Sequence, residues 1–444
     1  MRSYYIRTFG CQMNKHDSER VAGVLEERGL VPSPAIDDAD VIIFNTCCVR
    51  ETADERLYGQ VSSLKALKTG GRPDVIIAVG GCVGQRDGEL VFAHAPHVDI
   101  VFGTHNIHEL PALLDAAESG RRTASVLPSG DRFASDLPSH REDAWHAWVS
   151  ITVGCDNHCA YCIVPSVRGA ERSRAFEDIT AEVGRLVADG VVEVTLLGQN
   201  VNSYGRDRYG QPRFAELLQA VGSSGVARVR FATSHPKDLS PRTIAAMRDI
   251  PAVMPYLHLP FQAGSNRTLA AMNRGYTREQ YLSLAASIRD AIPDIALSTD
   301  IIVGFPGETE DDFAQTIDLV ERVGFEHAFT FIYSPREGTP AASMSDSVPR
   351  EVVQDRFDRL ASLVQTLSYD ANRRQIGLVQ DVLVEGPSRR DPTVLATRTP
   401  HHRLVHVPVP DGASADALAG RILVARITGA HPWFLSGEFV ASTV

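Results

Sequence analysis

Three closely spaced cysteines form the most chemically specific stretch of the chain. Cys155, Cys159 and Cys162 follow the spacing C-x3-C-x2-C, directly after an alternating run at 148–153 that is typical of a β-strand. Three thiolates on one loop can hold three irons of a [4Fe-4S] cube, which ordinarily takes four thiolates, and the fourth iron stays open to chelation by a small molecule. The alternative is a structural zinc knuckle in which His158 completes a tetrahedral site. Its place between two ligands would strain that tetrahedron, so the spacing favours the iron–sulfur cube.

Three further cysteines lie at the ends of strand-like segments in the N-terminal third: Cys11, Cys47 and Cys82. Because ligands gather beyond the carboxyl ends of parallel strands, residues far apart in sequence could meet there at one sheet edge. Three thiolates would again leave one iron of a second cube open. The alternative is three separate buried cysteines that act as small hydrophobes, but their shared position beside Gly or Asn favours metal ligation. Cys48 could replace Cys47; we prefer Cys47 because it occupies the strand end.

Strand and helix patterns alternate in this part of the chain. Apolar runs predict strands at 4–9, 41–45 and 75–79. Helical spacing predicts one helix that begins near Asp17 and another from about 52 to 64. Strands that alternate with helices are typical of a parallel α/β sheet. We therefore expect an α/β domain over residues 1–120, which carries Cys11, Cys47 and Cys82 at one edge.

Residues 121–143 are polar and rich in Pro, Ser and Gly, which predicts a linker. Six strand candidates follow within a domain predicted over 144–374. They end at Val153, Leu197, Thr233, Phe261, Val303 and Tyr333. Helical patterns at 179–188, 214–221, 278–291 and 311–323 separate them. Six βα units in about 190 residues favour a partial TIM-type (βα)6 barrel, with its functional edge at the carboxyl ends of the strands.

Small and polar residues recur just after these strand ends. They occur at 198–200, 234–236, 262–265, 298–300, 304–308 and 334–335. A polar ring above an apolar barrel fits a charged, nucleoside-like ligand. Each group taken alone is weak evidence, because a loop Gln or Asp is usually only solvated. Their recurrence after successive strands indicates the ligand site.

The C-terminal residues switch to short β runs after a helix predicted over 351–367. Runs at 379–385, 393–399, 404–409, 421–427 and 437–444 predict a small OB-like β-barrel over 375–444. Six arginines and six acidic residues leave this barrel neutral. Arg389, Arg390 and Arg403 could still follow a phosphate backbone. An ordinary solvated surface explains these residues equally well.

Composition restricts the classes of protein that remain. The 444 residues carry a net charge of −11, so a nucleic-acid partner must be held by local patches. No apolar run is long enough to span a membrane, and the start lacks a signal peptide's apolar stretch, so we expect a cytoplasmic protein with no membrane partner. Seven cysteines, an odd number in a long chain, argue for metal ligation and against a disulfide framework.

Several longer stretches, taken together, resemble the methylthiotransferase family of radical S-adenosylmethionine (SAM) enzymes. They are TFGCQMN at 8–14, NTCCVRE at 45–51, GGC at 80–82, the cysteine loop at 155–162, RGAERSR at 168–174, LGQNVNSYG at 197–205 and DIIVGFPGE at 300–308. The resemblance covers nearly the whole chain, and six of the seven cysteines fall on the family's ligand positions. Cys48 departs from the pattern, since a small apolar residue is expected there. This leaves open whether the second site has a spare thiol.

The resemblance implies a function with two [4Fe-4S] clusters and two SAM molecules per turnover. A radical formed from SAM would take hydrogen from C2 of a tRNA adenine, sulfur would be inserted there, and a second SAM would supply the methyl group. The C-terminal barrel would be a TRAM RNA-binding domain. We also expect an electron donor of the flavodoxin or ferredoxin type, and a monomer. The expected SAM contacts are Tyr161, Gln199, Asn200, Gln262, Asp300 and Gly304. The expected RNA contacts are Arg168, Arg172, Arg174, Arg389, Arg390 and Arg403.

Three hypotheses for the substrate and role follow from these features. The first is methylthiolation of N6-isopentenyladenosine next to the anticodon, which the form of 168–174 and of 12–14 favours. The second keeps the chemistry and changes the substrate to threonylcarbamoyl-adenosine in tRNA or to an aspartate of a ribosomal protein. The third is a non-catalytic iron–sulfur protein that carries clusters or binds RNA. Turnover of SAM separates the third from the first two.

Overall fold

A six-stranded parallel sheet occupies the N-terminal part of the chain. The computed structural model describes residues 2–48, 51–130 and 133–440. The strands are β1 Ser3–Thr8, β2 Val31–Pro32, β3 Val41–Thr46, β4 Ile76–Gly80, β5 Ile100–Phe102 and β6 Thr123–Ser125, in the order β2-β1-β3-β4-β5-β6. The helices are α1 Gln12–Glu27, α2 Glu51–Ser63, α3 Lys65–Thr69, α4 Gly81–Asp87, α5 Leu90–His94 and α6 Leu110–Glu118. The predicted α/β domain is confirmed, with three more strands than the apolar runs indicated.

Helices cover both faces of this sheet, and the sequence of its central strand shows why. All six residues of β3 are buried, as expected for a parallel strand enclosed on both sides. Ile42 and Phe44 pack toward one apolar cluster, whereas Val41 and Ile43 pack toward another. The alternation of these side chains follows the two-residue period of a strand.

The strand register brings the ends of three strands to the same level. Thr8 of β1 lies opposite Asn45 of β3, and Asn45 lies opposite Gly80 of β4. The chain then continues from each strand directly toward Cys11, Cys47 or Cys82. The cysteines therefore leave the sheet at one edge, in three neighbouring loops.

Six parallel strands build the central domain as two three-stranded sheets. They are β7 His146–Ser150, β10 Glu193–Leu197, β11 Arg228–Phe231, β12 Tyr256–His258, β13 Ala296–Val303 and β14 His327–Ile332; a short antiparallel pair, β8 Thr152–Val153 and β9 Arg172–Ser173, stands apart. An isolated bridge connects Val229 of β11 to Val253, three residues before β12, and so places the two sheets side by side. The strands therefore follow one another in chain order, as expected for a partial (βα)6 barrel.

Nine helices in the described part of this domain surround or connect the strands. They are α7 Val164–Arg168, α8 Phe176–Ala188, α9 Arg206–Tyr209, α10 Phe214–Gly222, α11 Pro241–Asp249, α12 Asn266–Ala271, α13 Arg278–Ala291, α14 Glu310–Val323 and α15 Arg350–Arg373. Thr309 caps α14: its hydroxyl accepts from the Asp312 amide, and the Asp312 carboxylate accepts from the Thr309 amide. This reciprocal capping box fixes where the helix begins. The helical patterns did not predict α7, α9, α11 and α12.

The stretch predicted as a linker is only partly irregular. Thr123–Ser125 pairs with Ile100–Phe102 and forms the edge strand β6 of the N-terminal sheet. The prediction of a linker that begins at 121 is therefore wrong in its first part, because a three-residue strand of small polar residues gives no apolar signal. The other domain limits stay predictions.

A closed five-stranded barrel forms the C-terminal domain, as predicted. Its strands are β15 Val379–Pro387, β16 Val394–Arg398, β17 Leu404–Pro408, β18 Ile422–Ala430 and β19 Leu435–Phe439, in the order β15-β16-β17-β19-β18, with the short helix α16 Ala415–Leu418. The strand predicted at 437–444 begins two residues earlier and ends at Phe439, and residues 441–444 lie outside the described ones. Among the described residues, no helix is long and apolar enough to cross a membrane.

Arginines of the central barrel hold the C-terminal domain in place. Arg228 donates to the carbonyl oxygen of Arg398 at 2.8 Å. Arg230 donates to the carbonyl oxygens of Thr399 and Pro400 at 2.9 and 3.0 Å. The turn between β16 and β17 is therefore fixed against the barrel strand β11.

Candidate iron–sulfur and cofactor sites

The three N-terminal cysteines come together at the sheet edge. The thiol of Cys47 is in contact with those of both Cys11 and Cys82. Gly10 permits the approach: its φ is +141°, and a Cβ there would lie 2.5 Å from the Cβ of Cys47. Contact with Cys47 and the charge of Arg168 lower the pKa of Cys11 to about 6, which favours the thiolate that binds iron.

Arg168 lies in the interior beside these cysteines. Its guanidinium donates to the Asp17 carboxylate at 2.8 Å, and its side chain is 5% exposed. The pKa of Cys82 is lowered well below its usual value by contacts with Cys47 and Cys48 and by the charge of Arg168. Arg168 ends α7, the short helix that follows the 155–162 loop. It therefore connects that loop to the cysteines of the N-terminal domain.

The loop that carries Cys155, Cys159 and Cys162 is fixed by backbone hydrogen bonds from distant segments. The Ala160 amide donates to the Met272 carbonyl at 2.9 Å, and the Ala160 carbonyl accepts from the Ala341 amide at 2.8 Å. Because both partners lie far along the chain, the folded barrel sets the position of the loop.

The single-metal alternative finds no support in this geometry. Within 2–48, 51–130 and 133–440, no three His, Cys, Asp or Glu side chains converge to hold one metal ion. His158, the fourth ligand of the zinc hypothesis, is exposed. A [4Fe-4S] cube sets no such requirement, because its thiolates bind different irons. The cysteine set fits the cube better than it fits zinc.

Arg274 is a site residue that the sequence did not reveal. Its guanidinium lies 3.3 Å from Sγ of Cys159 and donates to the Tyr161 hydroxyl at 3.2 Å. It also donates to the carbonyl of Pro260 at 3.0 Å, and the side chain is buried. Charge-assisted bonds of this kind are the strong ones. The sequence signal for it is weak: a basic residue between Asn273 and Gly275, the residue types that most readily adopt the left-handed backbone that both have here.

Buried polar atoms without a hydrogen-bond partner gather at the carboxyl ends of the barrel strands. Among the described residues they are Thr152 Oγ1, Gln199 Oε1, Asn200 Oδ1, Asn202 Nδ2, Ser234 Oγ, His235 Nε2 and Tyr333 OH. Burying such groups unpaired costs free energy, so native proteins satisfy nearly all of them. Burial, followed by the charges of Arg274 and Lys237, lowers the pKa of His235 to about 2 and keeps its imidazole neutral. These atoms fit a polar ligand that would bind at this end of the barrel.

A polar cavity of about 130 Å³ lies beside the cysteine loop. Its lining residues are Asp156, Asn157, Glu171, Asn200, Arg206, Asp207 and Lys237. Lys237 donates to Asn157 at 2.7 Å, and Asn200 donates to Asp238 at 2.7 Å. Burial raises the pKa of Glu171 to about 7. The cavity therefore holds both cationic and anionic groups, as a zwitterionic ligand requires.

Three other predicted ligand contacts lie on the second half of the barrel. Gln262 has a φ of +70°, and its backbone N–H donates to the backbone carbonyl oxygen of Asp300 at 3.0 Å. The Asp300 carboxylate lies 3.4 Å from Nε2 of His258. Gly304 has a φ of +76°, and a Cβ there would lie 2.6 Å from Cγ2 of Val353. Packing against α15 therefore accounts for this glycine, whatever its role toward a ligand.

Family models match three successive parts of the chain. They are the uncharacterized protein family UPF0004 at residues 3–103, the radical SAM superfamily at 149–320 and the TRAM domain at 373–440. A tRNA-2-methylthio-N(6)-dimethylallyladenosine synthase of Acidothermus cellulolyticus is 51% identical, over 99% of this chain and 88% of its own length. That of Carboxydothermus hydrogenoformans is 49% identical over 99% of both chains. The chain belongs to this family of synthases. It is a radical SAM methylthiotransferase, and the radical SAM domain implies one [4Fe-4S] cluster and SAM.

Solved radical SAM structures share the fold of this synthase-family chain. The methyltransferase TsrM of Kitasatospora setae, with cobalamin and a [4Fe-4S] cluster bound, matches with a TM-score of 0.56 and 14% identity, over 77% of each chain. The cobalamin-dependent enzyme OxsB matches with a TM-score of 0.51 and 13% identity, over 82% of this chain and 56% of that one. At such identities the likeness concerns the fold alone.

Three arginines predicted to contact RNA do not have the exposure that this role needs. Arg168 is buried against Asp17, as described above. Arg174 is 4% exposed and donates to the Glu182 carboxylate at 2.6 Å. Arg403 donates to Glu326 at 2.5 Å and is 12% exposed. The charges of these three arginines are already paired with carboxylates inside the protein, and the RNA contact expected of them stays a prediction.

The remaining predicted RNA contacts have different surroundings. Arg172 is half-buried, with its guanidinium carbon 4.8 Å from the centre of the Phe133 ring. Arg389 and Arg390 are exposed at the end of the first strand of the TRAM barrel. Their roles stay predictions.

Cys48 is placed within the core of the N-terminal domain. It is fully buried in an apolar cluster with Phe44 and Leu57. Its thiol also contacts that of Cys82. It therefore packs as a small hydrophobe beside the cysteine set, and the preference for Cys47 as the ligand stays a prediction.

Proposed function

We propose that this chain inserts sulfur at C2 of N6-isopentenyladenosine next to the anticodon of tRNA and methylates that sulfur. The product would be 2-methylthio-N6-isopentenyladenosine. The observation that carries the proposal is the connection of the two cysteine sets: Arg168 ends the short helix after the Cys155–Cys162 loop, and its charge lowers the pKa of both Cys11 and Cys82. Sulfur insertion needs a carbon-activating centre and a sulfur-bearing centre close together, and the position of Arg168 between the two segments supports such an arrangement.

Each cysteine set has its own proposed role. Cys155, Cys159 and Cys162 would hold the cluster that binds SAM, and Cys11, Cys47 and Cys82 would hold a second [4Fe-4S] cluster. When bound, an open-iron cube supplies reductive cleavage of SAM, which activates an otherwise inert C–H bond. Arg274 would balance the charge of the 155–162 ligand set through its contact with Cys159. Arg168 would balance the charge of the N-terminal ligand set. Both guanidiniums are buried, where water screens their charges least.

The residues at the barrel mouth would bind and orient SAM. The unpaired atoms of Gln199, Asn200 and His235 are available to a nucleoside and an amino acid group. Because the Lys237 amide donates to Nδ1 of the neutral His235 ring at 3.2 Å, Nε2 carries the proton and can donate a hydrogen bond without adding charge. Tyr161 has its hydroxyl fixed by Arg274 and would pack beside the adenine. Gln262, Asp300 and Gly304 would complete the site from the second half of the barrel. Two SAM molecules per turnover belong to the same proposal.

Two alternatives within the same chemistry are the threonylcarbamoyl-adenosine of tRNA and a ribosomal-protein aspartate. The names of the relatives, at 49–51% identity over nearly the whole chain, support the dimethylallyl substrate. A cluster carrier without catalysis would not need the buried polar atoms at the barrel mouth. We further propose a small flavodoxin- or ferredoxin-like protein as the electron donor and a monomeric enzyme.

Nucleoside mass spectrometry of total tRNA tests the proposal. A host that lacks the gene is compared with the same host carrying the wild-type gene or a Cys155→Ala variant. We expect 2-methylthio-N6-isopentenyladenosine to be absent without the gene, restored by wild type and not restored by the variant. Loss of the methylthio group from the threonylcarbamoyl nucleoside instead would transfer the chemistry to the second hypothesis. If neither nucleoside changes, the tRNA proposal is wrong, and purified protein that forms no 5′-deoxyadenosine would favour the carrier.

A further inference from the structure

A strip of aromatic and basic side chains runs from the last barrel strand to the TRAM domain. It consists of Phe329 and His327 on β14, Trp433 in the loop between β18 and β19, and Arg373 and Arg374 at the end of α15. We propose that this aromatic strip binds the unpaired bases that flank the modified adenosine, with Trp433 as the main stacking platform. This inference rests on the proposed tRNA substrate.

The rings of the strip form a continuous series of contacts. His327 and Phe329 have ring centres 4.6 Å apart at 90°, and His327 and Trp433 have ring centres 5.6 Å apart at 90°. Edge-to-face pairs of this kind fix ring positions. Trp433 is nevertheless 54% exposed and Phe329 43% exposed. Large ring faces are therefore held in place and left open to solvent, which is the requirement for a base-stacking platform.

The loop that carries Trp433 does not depend on the indole for its shape. The His431 amide donates to the Phe434 carbonyl at 2.9 Å, and their rings stack at 4.2 Å. Asn372 donates to the His431 carbonyl at 2.7 Å and attaches the loop to α15. The exposed tryptophan therefore has no evident structural task in the loop, and its replacement should leave the loop folded.

Positive charge is available beside this loop, whereas two arginines of the TRAM domain that lie against the barrel are paired with carboxylates. Arg373 and Arg374 directly follow Asn372 and are exposed, and neither has a carboxylate partner among the described residues. Arg398 and Arg403, in contrast, are paired with Glu385 and Glu326. The guanidinium carbon of Arg373 lies 5.8 Å from the centre of the Tyr369 ring, so both charges stay available to phosphates next to a base stacked on Trp433. The combination of stacking rings and cations is typical of single-stranded RNA sites.

The strip also leads toward the candidate cofactor site. Phe329 lies opposite Asp300 in the strand register, and its ring centre is 6.0 Å from that of His258. Asp300 is one of the predicted SAM contacts. If one RNA base enters the barrel, the bases next to it in the RNA would lie near Phe329 and Trp433. Sequence-specific RNA recognition mostly targets such splayed, unpaired bases, so we commit to a tRNA loop as the occupant.

Fluorescence binding with the full-length holoenzyme tests this inference. The probe is an anticodon stem–loop RNA with N6-isopentenyladenosine and 2-aminopurine at a flanking position, and a fully paired RNA duplex is the comparison. We expect Trp433→Ala to raise the Kd for the stem–loop about 10-fold or more and to change the 2-aminopurine quenching. Trp433→Phe should retain most of the affinity. The matched control is Ile422→Ala, another exposed apolar side chain at the far end of β18, which should change neither.

Each other outcome overturns the inference in a recognisable way. Equal Kd and quenching for wild type and Trp433→Ala, with a wild type that still modifies the RNA, would overturn the strip alone. An equal loss for stem–loop and duplex would assign Trp433 to backbone contacts instead of bases. If Trp433→Ala keeps its affinity for the stem–loop but is reduced more slowly by flavodoxin, the strip is a docking site for the electron donor. If wild type neither binds nor modifies the stem–loop, the proposed substrate and the strip both fail.

Discussion

Arg168 and Asp17 form a buried ion pair, with 2.8 Å between the guanidinium and the carboxylate, across two domains of the chain. Asp17 lies on α1, which begins directly after Cys11, and Arg168 ends the helix that follows Cys162. The side chain of Asp17 is 6% exposed. One pair therefore connects the segments that carry the two cysteine sets.

Removing one partner of this pair should be costly. Arg168→Gln leaves the buried Asp17 carboxylate without the Arg168 cation, although the His16 ring stays 3.4 Å away, and we expect this to lower the free energy of unfolding by about 3–5 kcal/mol. It should also reduce the iron bound by the N-terminal cysteines, because their thiolates lose a neighbouring cation. Calorimetry and iron analysis of the purified protein measure both effects.

Arg172→Gln is the matched control, four residues along in the same segment. Arg172 contacts the Phe133 ring and has no buried acid partner among the described residues, so a change of about 1 kcal/mol or less is expected. The double variant Arg168→Gln, Asp17→Asn should recover part of the lost stability. Equal effects of Arg168→Gln and Arg172→Gln would show that the ion pair does not matter.

Arg274 should tune the cluster held by the 155–162 loop. The charge-assisted contact between Arg274 and Cys159 favours the more negative, reduced state of a cluster. Arg274→Gln removes this contact. If the contact is about 1.5–3 kcal/mol stronger in the reduced state than in the oxidised state, its loss lowers the midpoint potential of the one-electron couple by roughly 60–130 mV. A redox titration followed by electron paramagnetic resonance measures it in a background with Cys11, Cys47 and Cys82 replaced by Ala.

Arg274→Lys separates charge from geometry. It keeps the cation and should restore part of the potential, although a lysine cannot reproduce the fork of bonds to Tyr161 and Pro260. Arg289→Gln, which loses backbone contacts at the other end of the barrel, should leave the potential unchanged. An unaltered potential in Arg274→Gln would contradict the tuning role.

The cysteine sets could be predicted because each depends on a local rule. The loop at 155–162 is defined by its spacing, and the strand-end position of Cys11, Cys47 and Cys82 needs only a parallel sheet with matched register. The six barrel strands follow from the same kind of pattern. These features are set by neighbours in sequence or by a general property of parallel strands.

The burial and the partners of the arginines could not be predicted in this way. Arg168, Arg174 and Arg403 have acidic partners on other elements, so their burial depends on how distant segments dock. Arg274 lies 115 residues after Cys159, in a turn without periodicity. The edge strand at 123–125 pairs on one side only and has no apolar pattern. Long-range packing, which one sequence does not display, decides all of these.

Replacing cysteines should separate the two proposed clusters. The triple variant Cys155→Ala, Cys159→Ala, Cys162→Ala should lose roughly half the bound iron, since each cube holds four irons. SAM cleavage should stop while the N-terminal cluster remains, which iron analysis and Mössbauer spectroscopy can measure. Complete loss of iron would show that the second cluster depends on the first.

Cys47 and Cys48 give a matched pair for the second site. Cys47→Ala should lower the iron of the N-terminal cluster sharply, whereas Cys48→Ala changes a buried apolar contact and should keep it. Equal iron loss from the two variants would contradict our choice of Cys47. Unfolding temperatures of both variants distinguish a lost ligand from a disturbed core.

Glu171 should make the stability of the chain depend on pH. Burial raises the pKa of its carboxyl from the ordinary 4.5 to about 7, so between these values the folded chain holds a proton that the unfolded chain has released. The stabilising contribution is full below pH 4.5 and is lost as the pH rises through 7. Glu171→Gln cannot ionise, so wild type should lose stability relative to this variant between pH 5 and 8, as calorimetry at both pH values can measure. Glu337→Gln, at an exposed position, should run parallel to wild type. If Glu171→Gln also runs parallel, the carboxyl is ionised throughout this range, and the cavity beside the 155–162 loop carries one more negative charge at neutral pH.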